Sequence, residues 1–449
     1  MIAEHRSRRR ADNDLVRLRQ CLQTGCEVRR LADDRGFRCR SFADLVTDDH
    51  RSGGDADPYR ELDPGRPRDR GIQLRHRLDD HSREFTALRG LMLHHLNLLE
   101  TEKAQHFAEQ ALRVAERLGD AARLVGGQMA LGVTLYFQGK LEPALAHFRR
   151  GFEMFDPNMQ FRDWPGSHPG VQCQFFPTLI SWMVGYPDRS LEELRAAVRS
   201  AETLGHPFTL AQTLCWAALV HVFRHEPSAA ADYAERASRI CEEQHIAEWH
   251  ALALCGNGWA LNASGESEKG LARIGKGLDS YGLGVQQHAL LALQADAQLA
   301  IGKPEAALAS AAAGLEVVEK MGGAPLEAEL YRLRGEALLA GAGTVSEADT
   351  AIEKAIDVAR RQNAKSWELR AAMSLARLRR QQGRPQEAAA LLAPILAWFT
   401  EGFDTADLQA ARTLLADLET PVPLEVSALC NPHLTPALSA RTYGRRRHS

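Results

Sequence analysis

The stretch Gly132-Val-Thr-Leu-Tyr-Phe-Gln-Gly139-Lys-Leu-Glu-Pro-Ala144-Leu-Ala-His-Phe148 contains a pattern that returns along most of the chain. A small residue lies seven positions before the turn glycine, a second small residue follows the turn by five positions, and an apolar residue follows it by nine. Small residues at these places let two helices approach closely, and a glycine between them suits the left-handed conformation that ends the first helix. The stretch therefore predicts a helix-turn-helix pair.

The same step from a turn residue to a small residue recurs about every forty residues, a period typical of solenoids. Clear copies run from Gly139 to Ala144, Gly265 to Gly270, Gly302 to Ala307, Gly343 to Ala348 and Gly383 to Ala388, and looser copies run from Leu99 to Ala104, Gly185 to Ser190 and His225 to Ala230. Each unit of a solenoid buries its apolar face against its neighbours. Because the pattern resembles the tetratricopeptide (TPR) repeat, we predict an all-α, TPR-like superhelical solenoid of about eight antiparallel helix pairs.

Residues 1–84 differ in composition from this repeat region. They are crowded with Arg and Asp, contain no Lys, and include turn-forming runs such as Asp63-Pro-Gly-Arg-Pro67. Such a composition buries too little apolar surface to offset chain entropy, so we predict disorder for residues 1–84 and for the Pro- and Arg-rich residues 420–449, with one solenoid domain at 85–419. Two alternatives stay open for residues 1–84. They are an Arg-rich arm for nucleic acid, or a stretch that is not native coding sequence and results from a misplaced start or a frameshift.

Charge and hydropathy limit the classes of partner. The formal net charge of -3 gives no general attraction to nucleic acid or to an anionic membrane. No run of about eighteen apolar residues could span a bilayer, and no apolar segment follows the arginines near Met1 as in a secretory signal. The eight cysteines form no CxxC pairs, so we predict reduced core residues. We therefore predict a cytoplasmic protein without a membrane partner.

One segment comes close to a phosphate-binding loop. Gly270-Leu-Ala-Arg-Ile-Gly275-Lys276-Gly277 matches GxxxxGK, but Gly277 stands where Ser or Thr would bind Mg²⁺. A phosphate loop follows a strand, whereas this segment is predicted to lie inside a helix whose backbone N–H groups are already used. We therefore predict no nucleotide site here. The sequence also contains neither a GxSxG nucleophile elbow nor a plausible Cys-His-Asn set.

Two groupings of histidines lie close enough in sequence to suggest a metal site. His245 and His250 flank Glu248, but residues five apart do not share a helix face. His221 and His225 do share a face, yet such a pair is more often a packed or surface pair than a set of ligands. We predict no catalytic, cofactor or metal site, and hence no enzymatic activity.

Several longer stretches between about Phe85 and Leu418 carry a more specific resemblance. The longest are Ala364-Lys-Ser-Trp-Glu-Leu-Arg-Ala-Ala-Met-Ser-Leu-Ala376 and Trp398-Phe-Thr-Glu-Gly-Phe-Asp-Thr-Ala-Asp-Leu408. The others are Ala130-Leu-Gly-Val-Thr-Leu-Tyr-Phe-Gln-Gly139, His168-Pro-Gly-Val171, Leu204-Gly-His-Pro-Phe208, Gly258-Trp-Ala-Leu261 and Glu327-Ala-Glu-Leu-Tyr-Arg-Leu-Arg-Gly335. This region resembles the C-terminal tetratricopeptide region of large bacterial signalling proteins that join a class III adenylate or guanylate cyclase domain to an AAA-type ATPase module.

The resemblance implies an interaction or regulatory module of a bacterial signalling protein. Its partner would be a protein or peptide, with the cyclase and ATPase domains among the candidates. The paired metal-binding aspartates of a cyclase and a complete phosphate loop are missing from this chain, so the module would be non-catalytic. Two alternatives stay open: a fragment of a cyclase-ATPase whose catalytic half is encoded upstream, and a nucleic-acid-binding helical repeat protein, which would need a basic groove.

The resemblance to tetratricopeptide proteins also places a binding surface. In these proteins the first helix of each pair lines the concave face, at positions six and three before the close-packing small residue and one and four after it. This register selects Gln212, Trp259, Glu329, Arg332, Glu336, Arg370, Met373, Arg377 and Arg380. An Arg-rich face beside an aromatic residue suits an acidic or carboxylate-ended peptide. The alternative is a set of solvated helix faces with pairs to Glu four residues away.

Overall fold

The structure is a computed structural model that describes residues 81–159, 161, 164, 166–282 and 284–419. All regular secondary structure in these residues is helical. In chain order the helices are α1 (His81–Asn97), α2 (Thr101–Leu118), α3 (Ala121–Phe137), α4 (Leu141–Glu153), α5 (Pro169–Met183), α6 (Pro187–Leu204), α7 (Pro207–Phe223), α8 (Pro227–Gln244), α9 (Ala247–Ala263), α10 (Ser267–Tyr281), α11 (Gln287–Ala300), α12 (Pro304–Met321), α13 (Glu327–Ala337), α14 (Val345–Arg361), α15 (Lys365–Gln381), α16 (Pro385–Ala397) and α17 (Ala406–Glu419). A π-helical turn, Leu338–Ala342, extends α13.

Successive helices pack into eight pairs, numbered here from pair 1 (α1 and α2) to pair 8 (α15 and α16), and α17 follows as a single helix. This architecture confirms the predicted all-α, TPR-like solenoid of about eight helix pairs. Helix α1 begins at His81, so residues 81–84, which the sequence places in the N-terminal segment, are helical. The disorder predicted for residues 1–84 and 420–449, and the two alternatives for residues 1–84, otherwise concern residues 1–80 and 420–449, which lie outside the described residues.

The turns inside the pairs follow the predicted pattern except in pair 7. A left-handed backbone occurs at the turn residues Leu99, Gly139, Gly185, His225, Gly265, Gly302 and Gly383. At the remaining turn, Gly343 is extended with φ -170°, and Gly341 takes the positive φ of 122° instead. The left-handed conformation expected at Gly343 is therefore wrong. Thr344 forms a capping box with Glu347 at the start of α14, and this requires an extended chain there, so the chain reverses earlier.

The recurring small residues bring the helices of a pair into direct contact. A Cβ atom placed on Gly258 would lie 2.6 Å from the carbonyl oxygen of Gly270, and one on Gly132 would lie 2.9 Å from the Phe148 ring. Distances this short leave no room for a side chain. The small residues that follow the turns are fully buried at Ala104, Ala144, Ser190, Ala230, Ala307, Ala348 and Ala388.

The solenoid is wound so tightly that its first four pairs touch its last pairs. Thr101 Oγ1, at the turn of pair 1, donates a hydrogen bond to the carbonyl oxygen of Met321 at the end of pair 6, at 2.6 Å. Ser366 Oγ, at the start of α15, donates to the carbonyl oxygen of Trp182 at the end of α5, also at 2.6 Å. The turns inside the early pairs thus rest on the loops that follow later pairs, and the superhelix closes on itself.

A further closing contact joins the start of α6 to the loop before α17. The backbone N–H groups of Asp188 and Arg189 donate to Glu401 Oε1 at 2.9 and 3.0 Å. In return, the N–H of Gly402 donates to Asp188 Oδ2 at 2.8 Å. Because the first N–H groups of a helix lack partners within the helix, Glu401 satisfies donors of α6 from a distant part of the chain.

Candidate functional site

Arg370 lies where the two ends of the closed superhelix meet. From α15 it donates through Nε to Asp407 Oδ2 of α17 at 2.8 Å, and through Nη2 to the carbonyl oxygen of Phe223 at the end of α7 at 2.5 Å. Its guanidinium carbon lies 5.0 Å from the ring centroid of Trp182 and 5.2 Å from that of Trp367, within cation–π range. One side chain therefore links pairs 3, 4 and 8 and the last helix.

Two residues one turn apart on α13 extend this network. Arg332 holds Glu329 in a fork, with Nε and Nη2 at 2.8 and 2.7 Å from the two carboxylate oxygens. Glu329 also lies 3.7 Å from Arg370. Burial raises the pKa of Glu329, but Arg332 and Arg370 together outweigh burial and hold that pKa below its ordinary value. The Glu329 carboxylate is therefore ionised at neutral pH.

The neighbouring pairs add an indole, an imidazole and a further carboxylate. Trp259 Nε1 on α9 donates to Asp296 Oδ2 on α11 at 2.9 Å. The His225 ring centroid is 5.9 Å from that of Trp259, and its Nε2 is 3.7 Å from Asp407 Oδ1. The charge of Arg370 and burial lower the pKa of His225 more than the nearby carboxylates raise it. His225 is therefore neutral at pH 7.

A small cavity, about 20 Å³, lies between pairs 4 to 8 and is lined by His225, Trp259, Asp296, Glu329 and Arg370, and Asp407 lies beside it through its contact with Arg370. We call the set His225, Trp259, Asp296, Glu329, Arg370 and Asp407 the inner charged site. Three carboxylates face one guanidinium, so with a neutral histidine the site carries a net charge of 1 - 3 = -2. The adjacent Arg332 and Glu336 cancel one another and lie 3.7 Å apart.

The structure brings together five of the nine residues predicted as a binding surface. Trp259, Glu329 and Arg370 belong to the inner charged site, and Arg332 and Glu336 lie against it. The exposure expected of a binding surface is wrong for Trp259, Glu329, Arg370 and Met373, which are 4%, 6%, 8% and 4% exposed. Arg370 is covered because the superhelix closes over α15, and Met373 because α15 packs against the two helices that follow it.

The remaining predicted residues lie elsewhere. Gln212 is buried on α7 and accepts a hydrogen bond from Gln172 at 3.2 Å. Arg377 and Arg380 are exposed near the end of α15, and Arg380 lies 3.4 Å from Asp417 of α17. Gln212, Arg377 and Arg380 therefore lie outside the inner charged site.

The sequence did not lead us to assign Asp296 or Asp407 to the site, and it indicated His225 only as a turn residue and as half of a possible metal pair. A signal for Asp296 was available, because it follows the small residue Ala295 by one position, as Trp259 follows Gly258. A separation of 37 residues joins both Trp259 to Asp296 and Arg370 to Asp407. Comparing polar residues one repeat apart would therefore have found two of the three.

Other candidate sites carry no comparable arrangement. Gly270–Gly277 lies within α10, where the backbone N–H groups are bonded in the helix, so it is not a phosphate loop. In the described residues no group of three His, Cys, Asp or Glu side chains could hold a metal ion. None of the described helices combines the length and apolar character needed to cross a membrane.

Four cysteines lie in the described core, namely Cys173, Cys215, Cys241 and Cys255. Burial raises the pKa of each thiol, to about 12 for Cys241 and Cys255. These thiols are therefore protonated core residues and poor nucleophiles at neutral pH.

No protein-family model matches the chain, and no curated protein does either. Among solved structures, it is similar to a Rap protein complexed with competence and sporulation factor, with a TM-score of 0.48, 11% identity, and coverage of 75% of this chain and 98% of that one. It is also similar to a signal transduction ATPase with a tetratricopeptide repeat sensor from Pyrococcus horikoshii, with a TM-score of 0.43, 14% identity, and coverage of 74% of this chain and 49% of that one.

A third similar structure is the apo form of the quorum sensor NprR from B. thuringiensis, with a TM-score of 0.41 and 13% identity. The match covers 76% of this chain and 100% of that one. The TPR-like helical repeat fold of this chain rests on the helix pairs described above.

Proposed function

We propose that this chain is a non-catalytic interaction and regulatory module of a bacterial signalling protein, with a protein or peptide as its partner. The observation that supports this most is the network around Arg370, which joins distant parts of the solenoid through charged groups that are mostly buried. Buried ion pairs lose much of their attraction to desolvation and contribute little net stability. Their presence inside a repeat protein is better explained by recognition or switching.

The position of the network suits regulation. A partner group that takes Glu329 or Asp407 away from Arg370 weakens the contact between α15 and the end of α7. Binding inside the superhelix is then coupled to closure between the early and late pairs, because ligands shift a conformational equilibrium by their differential affinity for its states. Such coupling is what a regulatory arm beside an effector domain requires.

The partners we propose are the cyclase and ATPase domains of the signalling proteins that the sequence resembles. A class III cyclase domain from the same genome would be titrated with the purified chain while cyclase rate and complex formation are measured. We expect a one-to-one complex and a changed rate. Arg370→Ala should weaken the complex at least tenfold, whereas Arg377→Ala, on the same helix but exposed, should leave it unchanged.

The chain alone should neither cyclise ATP or GTP nor hydrolyse ATP, because its sequence shows neither the paired metal-binding aspartates nor a complete phosphate loop that these reactions need. Turnover that Lys276→Ala abolishes would contradict the non-catalytic part of the proposal. Absence of both binding and rate change with the cyclase and ATPase domains would contradict the signalling context. Nucleic acid is the less favoured partner, because the inner charged site is acidic and not basic.

A further inference from the structure

The contact that closes the superhelix joins two different edges of the solenoid. We call the row of turns inside the pairs the turn edge, and the row of loops that follow the pairs the loop edge. Thr101 at the turn of pair 1 donates to Met321 at the end of pair 6, and a Cβ atom on Gly139 at the turn of pair 2 would lie 2.5 Å from Gln362 at the end of pair 7. Pair 3 likewise meets the loop after pair 8, at Gly402. The turn edge of each early pair therefore lies on the loop edge of the pair five places later.

This closing contact uses the same repeat positions each time. On the loop edge, Met321, Gln362 and Gly402 each stand nineteen residues after the turn residue of their own pair, and all three are buried. On the turn edge, Thr101 stands two residues after the turn residue and is buried as well. The exposure of a residue at these two positions therefore shows whether its edge is covered.

By this measure, the described residues leave uncovered the loop edge of the early pairs and the turn edge of the late pairs. Leu118 and Leu204 occupy the loop-edge position in pairs 1 and 3 and are 36% and 40% exposed, and Val345 occupies the turn-edge position in pair 7 and is 53% exposed. A Cβ atom on Gly205, beside Leu204, or on Gly302, at the turn of pair 6, would meet nothing within 4 Å. Apolar side chains are thus exposed at positions that the closing contact buries elsewhere in the chain.

We propose that these two uncovered edges bind one another between copies of this chain, with the turn edge of pairs 5–8 of one copy lying on the loop edge of pairs 1–4 of the next. A second copy is the fitting occupant because each edge has its complement on the same chain, in the arrangement that the closing contact already uses. Counting α17 as a ninth repeat, pair 3 of the next copy is the twelfth repeat of a continued superhelix, five after pair 7. This spacing brings Val345 of one copy to Leu204 of the next.

The expected assembly is open and concentration-dependent. A contact between two different surfaces leaves one of each surface unused at the ends, so copies continue to add unless the rotation closes a ring. Few apolar side chains are buried per contact, which is typical of weak and reversible association. The proposal concerns the purified chain alone and does not depend on the signalling partner.

Sedimentation velocity of the full-length chain, measured over two decades of protein concentration, tests the assembly. We expect the average mass to rise continuously and to pass that of two copies. Leu204→Lys disables the loop edge and Val345→Lys the turn edge, and each variant alone should remain a single chain because identical copies need both edges. Leu98→Lys is the matched control: Leu98 is 56% exposed but lies at the turn of pair 1, on the part of the turn edge that the chain covers itself, so this variant should associate like the wild type.

Mixing the two edge variants is the decisive measurement. Leu204→Lys keeps a working turn edge and Val345→Lys a working loop edge, so an equimolar mixture should form complexes of two chains and none larger. A wild type that stays a single chain at every concentration, an oligomer that neither substitution affects, a mixture without complexes, or equal loss with Leu98→Lys would each overturn the proposal. Circular dichroism checks folding, which substitution of exposed side chains should change little. Should a Lys variant be unfolded, the Gln variant at the same position replaces it, and the same outcomes are required.

Discussion

Trp182 and Trp367 pack edge to face, with ring centroids 4.7 Å apart and an angle of 72° between the rings. One belongs to pair 3 and the other to pair 8, so this contact marks the place where the second turn of the superhelix lies on the first. Arg370 covers both rings and completes the contact. The state of the inner charged site and the closure of the solenoid are therefore parts of one arrangement.

Arg370→Ala should lower the free energy of unfolding by about 3–5 kcal/mol, because removing one partner of a buried ion pair leaves the others uncompensated. Urea denaturation followed by circular dichroism measures the change. Arg377→Ala on the same helix is the control, and as an exposed side chain it should change stability by no more than about 0.5 kcal/mol. Equal effects of the two variants would show that Arg370 is not part of a closing network.

Gly402→Ala should push the loop before α17 away from the start of α6 and so separate the late pairs from the early ones. A Cβ atom on Gly402 would lie 2.0 Å from Pro187 Cγ, across the closing contact, whereas one on Gly383 would meet nothing within 4 Å. Their φ angles of 73° and 75° impose the same backbone strain on Ala, so Gly383→Ala is a matched control. We expect a larger radius of gyration by small-angle X-ray scattering for Gly402→Ala alone. An unchanged radius in a folded Gly402→Ala protein would contradict closure at this loop.

Gly258→Ala should destabilise pair 5 by about 1–3 kcal/mol, because the added methyl group meets the backbone carbonyl of Gly270 and the two helices must move apart. Gly275→Ala in α10 tests the same exchange where nothing lies within 4 Å, and it should stabilise the protein by up to about 1 kcal/mol through helix propensity. Thermal melting of the two variants distinguishes them by sign. Stabilisation by both would mean that pair 5 is more loosely packed than the structure shows.

His288 should make stability depend on pH in the acidic range. It is 1% exposed, and burial lowers its pKa to about 4, partly offset by a contact of 2.6 Å between Nδ1 and the Val285 carbonyl oxygen. An unfolded histidine titrates near 6.5, so the unfolded state binds more protons below that pH. Stability contributed by neutral His288 is therefore lost as pH falls from about 6.5 to 4, by up to about 1.4 kcal/mol per pH unit.

The measurement for His288 is the urea midpoint as a function of pH. His288→Asn should flatten the slope between pH 6.5 and 4, because the group that takes up the proton on unfolding is gone. His245→Asn, at an exposed residue in the left-handed conformation that Asn tolerates, should keep the wild-type slope. A wild-type slope in the His288 variant would assign the pH dependence to other groups.

The helix pairs could be predicted from the sequence because their cause is local. A glycine or alanine seven positions before a turn and another five positions after it meet within one pair, as Gly258 and Gly270 do, and no distant residue is needed. The exception at Gly343 has a local cause too. The capping box of Thr344 and Glu347 was present in the sequence and competes with the repeat pattern for the place of the turn.

The candidate site was predicted only in part because its geometry depends on the whole superhelix. The register placed Trp259, Glu329 and Arg370 on first helices correctly, but it treats every pair as facing an open groove. Whether Trp182 meets Trp367 depends on small rotations summed over five pairs, which no local pattern encodes. For that reason Arg370 was predicted to be exposed, whereas it is buried among partners from α5, α7, α13 and α17.

The contact of Glu401 with the start of α6 has a consequence for how the chain acquires its structure. An open solenoid can form one repeat at a time as it leaves the ribosome, since each unit needs only its neighbour. Here the first N–H groups of α6 find their acceptor in a residue made more than two hundred positions later. Pairs 1–4 can therefore form during synthesis, but the first N–H groups of α6 lack their acceptor until nearly the whole described chain has been made. Contacts between residues so far apart raise the contact order and slow the last step of folding.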